Sequence, residues 1–111
     1  MTERAEKYLA DILQAIQMAE NFAEGVTGFA AYQRDLKTKS AIERQLGIIG
    51  EAVNQFRKEE SNIKLNYTRQ MVDFRNRLIH SYDNIDDAIV WTILRKHLPT
   101  LREEVEQIMS R

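Results

Sequence analysis

Apolar side chains recur at intervals of three and four residues along most of the chain, which is the spacing of one face of an α-helix. The first such stripe runs from Ala5 to Ala23, with Thr2 before it as a candidate N-cap. Gly25 and Gly28 then interrupt the pattern, and residues 29–36 leave room for only a short helix. The pattern therefore predicts one long helix, a turn and a short helix over the first third of the chain.

The second apolar stripe, in the helix predicted over residues 41–56, is wider than one interface needs. This width predicts a helix that is central or that serves two interfaces at once. Gly47 and Gly50 lie inside the helix at a cost of about 1 kcal/mol each relative to alanine, so a close helix neighbour is expected there. The stripe comprises Ile42, Leu46, Ile49, Val53 and Phe56, and is widened by Ala41, Ile48 and Ala52.

Two more helical segments follow the polar run at residues 57–62. The first is predicted from Leu65 to His80, and the second begins near Ala88 after a turn and cap supplied by residues 83–87. Pro99 either kinks that last segment or opens a final helix. With one proline and four glycines the chain lacks the punctuation of many short strands, which favours an all-α fold.

Composition narrows the class of protein. A length of 111 residues, 43% of them hydrophobic and 30% charged, is typical of one globular domain covering residues 1–111. The net charge of -1 means that any anion site must be local, and the absence of cysteine excludes disulfides and thiolate metal sites. Two distant histidines argue against a zinc site, and no apolar run approaches the ~18 residues of a membrane span. We predict a cytoplasmic protein with no bound metal, no cofactor and no membrane contact.

The octet RNRLIHSY, residues 75–82, holds the main candidate chemistry. On a helical wheel Arg75 falls in the middle of an apolar side, where a permanent charge must pair with an acid such as Glu51, snorkel to water, or face a ligand anion. The apolar residues of that side are Met71, Val72, Phe74, Leu78, Ile79 and Tyr82.

Asn76 and His80 share a different side of the same wheel. Residues 61–80 contain four basic residues and one acidic residue, so a local cationic patch lies beside an imidazole that can move protons. Arg75 and His80 stand about 140° apart on an ideal helix. They can converge only if the helix ends near His80 or if a second copy of the chain completes the site.

The spacing R-x-x-x-x-H-x-Y, formed by Arg75, His80 and Tyr82, resembles the motif of HEPN domains, specifically the HepT-like toxins of HepT/MntA toxin-antitoxin pairs. The segment AIERQLGIIGEAVNQF (41–56) is similar to the family helix with a central IGEA, and Ile85 and Trp91 match the pattern after the motif. One departure is KLNY at residues 64–67, where the family often has Pro-Trp, and it leaves substrate preference open. The resemblance implies an antiparallel bundle of four to five helices that forms a homodimer, with two motifs lining one cleft.

The resemblance also implies a function, that of a metal-independent endoribonuclease. His80 would serve as general acid or base, Arg75 would hold the phosphoryl oxygens, and Asn76 and Tyr82 would position the substrate. It further implies a partner, an MntA-like nucleotidyltransferase antitoxin that silences the toxin by transferring AMP to Tyr82. The alternative is a catalytically silent helical dimer that scaffolds such a nucleotidyltransferase.

Overall fold

Helices make up most of the protein, and there is no β-strand. The structure, a computed structural model, describes residues 1–111. The helices are α1 (Glu3–Ala23), α2 (Phe29–Arg34), α3 (Leu36–Glu59), α4 (Thr68–His80), α5 (Asp87–Thr92) and α6 (Leu98–Met109). A π-helical turn at Ile93–His97 joins α5 to α6 without a break, so there are five continuous helical segments. This confirms the all-α prediction and the predicted number of helices.

The long helix α3 lies at the centre of the bundle, as its wide apolar stripe predicted. It packs against α1 on one side and α4 on the other, and α6 covers α1. Thr2, at the start of α1, hydrogen bonds to Glu59 and Glu60 at the end of α3, so these two helices are antiparallel. One hydrophobic core of 24 buried residues runs through the bundle and includes Leu46, Ile49 and Val53 of α3. None of the helices combines the length and the apolar character that a membrane span requires.

Side-chain caps set where two of the helices begin. Thr2 Oγ1 accepts a hydrogen bond from Ala5 N at 3.0 Å, which confirms the predicted cap of α1. Asp35 Oδ1 accepts one from Thr38 N at 3.0 Å, and α3 therefore begins at Leu36. The prediction that this helix begins at Ala41 was wrong, because the preceding turn, residues 36–40, adds nothing to the buried apolar stripe: its one apolar residue, Leu36, is 71% exposed and the other four are polar.

The start of α4 also differs from the prediction. Tyr67 has the left-handed φ of 65°, so the helix begins at Thr68, three residues after Leu65. Asn66 is held outside the helix by Glu104 of α6, which accepts hydrogen bonds from the Asn66 backbone N at 3.0 Å and from its Nδ2 at 2.9 Å. The end of α4 at His80 confirms the sequence expectation.

Pro99 lies in the first turn of α6, where the second predicted alternative placed it, although the π-helical turn leaves no break between α5 and α6. A proline has no N–H, and its ring crowds the carbonyl four residues earlier. The π-helical turn before Pro99 widens the backbone at this point, and Leu98 N accordingly donates to Ile93 O, five residues back. Upstream, Asp86 Oδ1 accepts from Ala88 N at 2.8 Å, which confirms the predicted cap of the last helical segment.

Candidate active site between α3 and α4

An open cleft of about 560 Å³ runs between α3 and α4 and reaches the turn that follows α4. The α3 residues that line it are spaced by three and four, so a single face of that helix forms one wall. The opposite wall is formed by the C-terminal half of α4 together with Tyr82. The lining residues are Ser40, Glu43, Arg44, Gly47, Ile48, Glu51, Arg75, Leu78, Ile79 and Tyr82.

Two glycines of α3 allow α4 to approach closely enough to place Arg75 in this wall. A Cβ at Gly50 would lie 2.5 Å from both Met71 O and Arg75 Cβ. A Cβ at Gly47 would lie 2.8 Å from Leu78 Cδ2. Both positions therefore lie in a close helix contact, which confirms the sequence prediction of a near helix neighbour.

Arg75 is tethered at both ends of its guanidinium. Its Nη2 lies 2.6 Å from Glu51 Oε2, and its Nη1 donates a hydrogen bond to Asn76 Oδ1 at 2.9 Å. Glu51 Oε2 is buried and has no aligned hydrogen bond, so its contact with Arg75 is ionic, while Glu51 Oε1 accepts from Gln55 Nε2 at 2.9 Å. Of the three possibilities open to Arg75, the structure therefore shows the acid pair. The side chain of Arg75 remains 29% exposed and lines the cleft, so an anion in the cleft can still reach it.

The other motif residues are divided between two locations. Tyr82 lines the cleft with Arg75 and is 76% exposed. Its predicted place on the apolar side of the helix was wrong, because α4 ends at His80 and Tyr82 belongs to the following 3-10 turn, Tyr82–Asn84. Ile79, which the wheel also placed on that side, is 53% exposed. His80 is exposed at the last position of α4 and is not among the residues that line the cleft.

A largely buried ion pair lies next to Glu43, at the end of the cleft that the start of α3 forms. Lys39 Nζ and Asp87 Oδ2 form an ion pair of 2.9 Å that ties the start of α3 to α5, and both side chains are largely buried. Burial raises the pKa of Glu43 above its ordinary value, Lys39 opposes this, and Asp87 adds to it. Glu43 and Arg44 were not predicted as site residues from the sequence, although Arg44 lies seven residues before Glu51 and therefore on nearly the same helix face.

Metal-ligating side chains are not gathered at this cleft or elsewhere: nowhere do three or more His, Asp or Glu residues come together as ligands would. The polar groups that the cleft offers to a ligand are arginine, glutamate, serine and tyrosine side chains.

Comparisons with known proteins agree on one family. Residues 12–108 match the family model described as "Ribonuclease HepT-like". The chain is 32% identical to a "Probable ribonuclease HepT" of Thermococcus cleftensis over 112 aligned positions, which cover 97% of this chain and 98% of that protein. It is 31% identical to a "Putative RNase" of Caldanaerobacter subterraneus, covering 94% and 93%, and 32% identical to one of Methanocaldococcus jannaschii, covering 96% and 98%. No solved structure matches the chain.

Proposed function

This chain belongs to the HepT-like ribonuclease family, and we propose that it is itself a metal-independent endoribonuclease, the toxin of a HepT/MntA toxin-antitoxin pair. In this proposal residues 1–111 form one HEPN domain. The observation that carries it is the arginine of the motif, Arg75, held by Glu51 in the wall of an open cleft. The names of the relatives, which describe ribonucleases, support the same activity.

RNA cleavage at such a site needs no nucleophile from the protein. The ribose 2'-hydroxyl attacks the adjacent phosphorus, a base takes its proton, and an acid protonates the departing 5'-oxygen. His80 serves as the general base or the general acid in these two proton transfers, since an imidazole nitrogen can accept or donate a proton. Arg75 stabilises the charge that builds on the phosphoryl oxygens, and Asn76, which accepts a hydrogen bond from Arg75, helps to orient it. The products are a 2',3'-cyclic phosphate and a 5'-hydroxyl.

Two chains complete the site in this proposal. Within one chain His80 lies outside the cleft that Arg75 lines, so a cleft needs an imidazole from elsewhere. The rim of the cleft also exposes apolar surface that water disfavours, since Ile48 is 38% exposed and Ile79 is 53% exposed. A homodimer that pairs the α3–α4 faces joins the two clefts into one, shields this rim from bulk water while Ile48 and Ile79 still line the shared cleft, and brings His80 of each chain to Arg75 of the other.

Replacement of His80 by alanine tests the catalytic role. We expect purified H80A to lose RNA cleavage by at least about 100-fold, the usual contribution of acid–base catalysis, while circular dichroism shows an unchanged helical fold. R77A is the matched control, because Arg77 is an exposed cation on the same helix that does not line the cleft. Both are assayed with and without a chelator. Undiminished cleavage by H80A would refute the role of His80, and loss of wild-type activity in chelator would refute metal independence.

Mixing two inactive variants tests the shared site. Equal amounts of R75A and H80A, unfolded and refolded together, form mixed dimers that contain one intact pair of Arg75 and His80. We expect about a quarter of the wild-type activity to return, because half of the dimers are mixed and each has one working site. If both residues act within one chain, no activity returns. A wild-type protein that sediments as a monomer would equally contradict the proposed dimer.

Tyr82 is the residue through which we propose that the toxin is silenced. Its side chain is 76% exposed and lines the cleft with Arg75, so a nucleotidyltransferase partner can reach the hydroxyl. Transfer of AMP to that oxygen releases pyrophosphate from ATP and leaves a negatively charged, bulky group at the anion site. After co-expression with the partner we expect intact mass to rise by whole AMP units, and Y82F to lose this gain while the control Y67F keeps it. An unmodified wild-type chain would overturn the proposal.

The alternative, a catalytically silent dimer that scaffolds a nucleotidyltransferase, is favoured by one observation. Glu51 already neutralises Arg75, which weakens the attraction of that guanidinium for phosphate. This alternative predicts that pure, unmodified protein cleaves no RNA and is not toxic when expressed alone. The H80A experiment separates the two functions, because only a ribonuclease gives a wild-type activity that the substitution can remove.

A further inference from the structure

The cleft contains a second arginine that the proposed mechanism does not use. Arg44 of α3 lines it together with Arg75. Arg75 is paired with Glu51, whereas the other ion pairs of the protein involve Lys7, Lys39 and Arg102, so Arg44 has no acidic partner within 4.0 Å. Arg44 is also exposed to solvent. The cleft therefore has one cation that is free to meet an anion.

The position of Arg44 along α3 separates it from the site of cleavage. Arg44 lies seven residues before Glu51, which is about two turns of helix, about 10 Å along the axis and nearly the same face. Arg75 cannot swing toward Arg44 without breaking its contacts to Glu51 and Asn76. The two guanidinium groups are thus arranged to bind two separate anions along one cleft.

Apolar side chains lie between these two cations. Ile48 is one turn after Arg44 on the same face of α3, and Ile79 faces it from α4 across the cleft. Proteins that bind single-stranded nucleic acid combine cations that follow the backbone with aromatic side chains on which the bases stack, and Tyr82 supplies an aromatic ring in this cleft. The order of charge and apolar surface here fits a flexible polyanion with apolar groups between its charges.

We propose that Arg44 binds a backbone phosphate other than the one that is cleaved, so that the cleft recognises single-stranded RNA of at least three nucleotides. This inference rests on the proposed ribonuclease function and deepens it, because it makes Arg44 a determinant of substrate length. A dinucleotide has only the cleaved phosphate and cannot use Arg44.

Cleavage of two substrates tests the inference. A dinucleotide and a hexanucleotide with the same scissile step, the latter with a single cleavable ribose, are compared for wild type, R44Q, R44K and R34Q. We expect R44Q to raise KM for the hexanucleotide by about tenfold more than for the dinucleotide, as loss of a charged hydrogen bond implies. R44K, which keeps the positive charge, should retain part of the wild-type preference for the hexanucleotide over the dinucleotide. R34Q is the matched control, because Arg34 is an exposed arginine outside the cleft.

Binding separates a failure of this inference from a failure of the ribonuclease function. If the wild type cleaves neither substrate, the function is refuted, and Arg44 is then tested by fluorescence anisotropy with the hexanucleotide carrying a 2'-deoxy scissile ribose. We expect about tenfold weaker binding by R44Q and a salt dependence reduced by about one phosphate contact. The inference is overturned if R44Q binds the hexanucleotide as tightly as the wild type does, or if R44Q raises KM equally for both substrates. It is also overturned if R44Q loses the preference for the hexanucleotide and sedimentation shows that its dimer has dissociated.

Discussion

Replacement of Gly50 by alanine tests whether the contact between α3 and α4 positions the cleft. The new Cβ would lie 2.5 Å from the Met71 carbonyl oxygen, which is backbone and cannot rotate away, and 2.5 Å from Arg75 Cβ. The two helices must therefore move apart at the point where Arg75 enters the cleft. We expect G50A to be less stable than the wild type and to have a displaced Arg75.

The expected loss of unfolding free energy in G50A is the difference between two opposing effects. Overpacking a close contact costs about 1–3 kcal/mol, and a clash with backbone lies at the upper end of that range. Alanine in place of glycine inside a helix returns about 1 kcal/mol. The net loss is about 2 kcal/mol, which corresponds to a fall in Tm of about 8 °C for a domain of this size.

G47A is the matched control on the same helix face. Its Cβ would lie 2.8 Å from Leu78 Cδ2, the end of a flexible side chain that can change rotamer, so the gain in helix propensity offsets most of the clash. We expect its unfolding free energy to lie within about 1 kcal/mol of the wild type. Urea unfolding followed by circular dichroism measures both variants. Equal stability of G50A and G47A would show that α4 does not depend on close contact at Gly50.

Two further predictions concern pH. Burial, with a smaller effect of Lys96, lowers the pKa of His97 from 6.5, so protonation favours the unfolded chain and the free energy of unfolding falls as the pH drops below about 6.5. The His97 ring stacks on Tyr67 at 4.0 Å between centroids, and H97F keeps a ring at this place while removing the titrating group. Urea unfolding of H97F should therefore show a flatter pH dependence, and an unchanged pH profile would contradict the prediction. Burial raises the pKa of Glu43 above 4.5, so the stability that the neutral carboxyl group contributes to the folded state is fully present below about pH 4.5 and is lost as the pH rises. E43Q should therefore be at least as stable as the wild type at pH 7 and lose this advantage near pH 4; a less stable E43Q at pH 7 would instead show a favourable pairing of Glu43 with Lys39.

The helices could largely be predicted from the sequence because their evidence is local. The apolar spacing in α1 and α3 identifies both helices and the central place of α3, and Gly47 and Gly50 indicate a close helix neighbour. The start of α4 could not be predicted in the same way. It depends on the left-handed Tyr67 and on Asn66, whose backbone and side chain are held by Glu104, 38 residues away.

The candidate site was only partly visible in the sequence. The motif and the end of α4 at His80 were predicted, as was Glu51 as a possible partner of Arg75. Tyr82 was expected to continue the apolar face of α4, but the helix ended first and left it exposed at the cleft. Arg44 was missed because one arginine on a helix is ordinary until its neighbours across the cleft are known.

The sequence by itself determined the all-α fold, the central helix and the identity of the motif residues, since the periodicity of a helix depends only on neighbours along the chain. The tertiary structure decided which of those residues share a cleft. That choice depends on the register of α4 against α3, which the close approach at Gly50 sets and which places Arg75 against Glu51. Register is a property of two helices together, so the shared cleft of Arg44, Arg75 and Tyr82, and the position of His80 outside it, follow only from the packed structure.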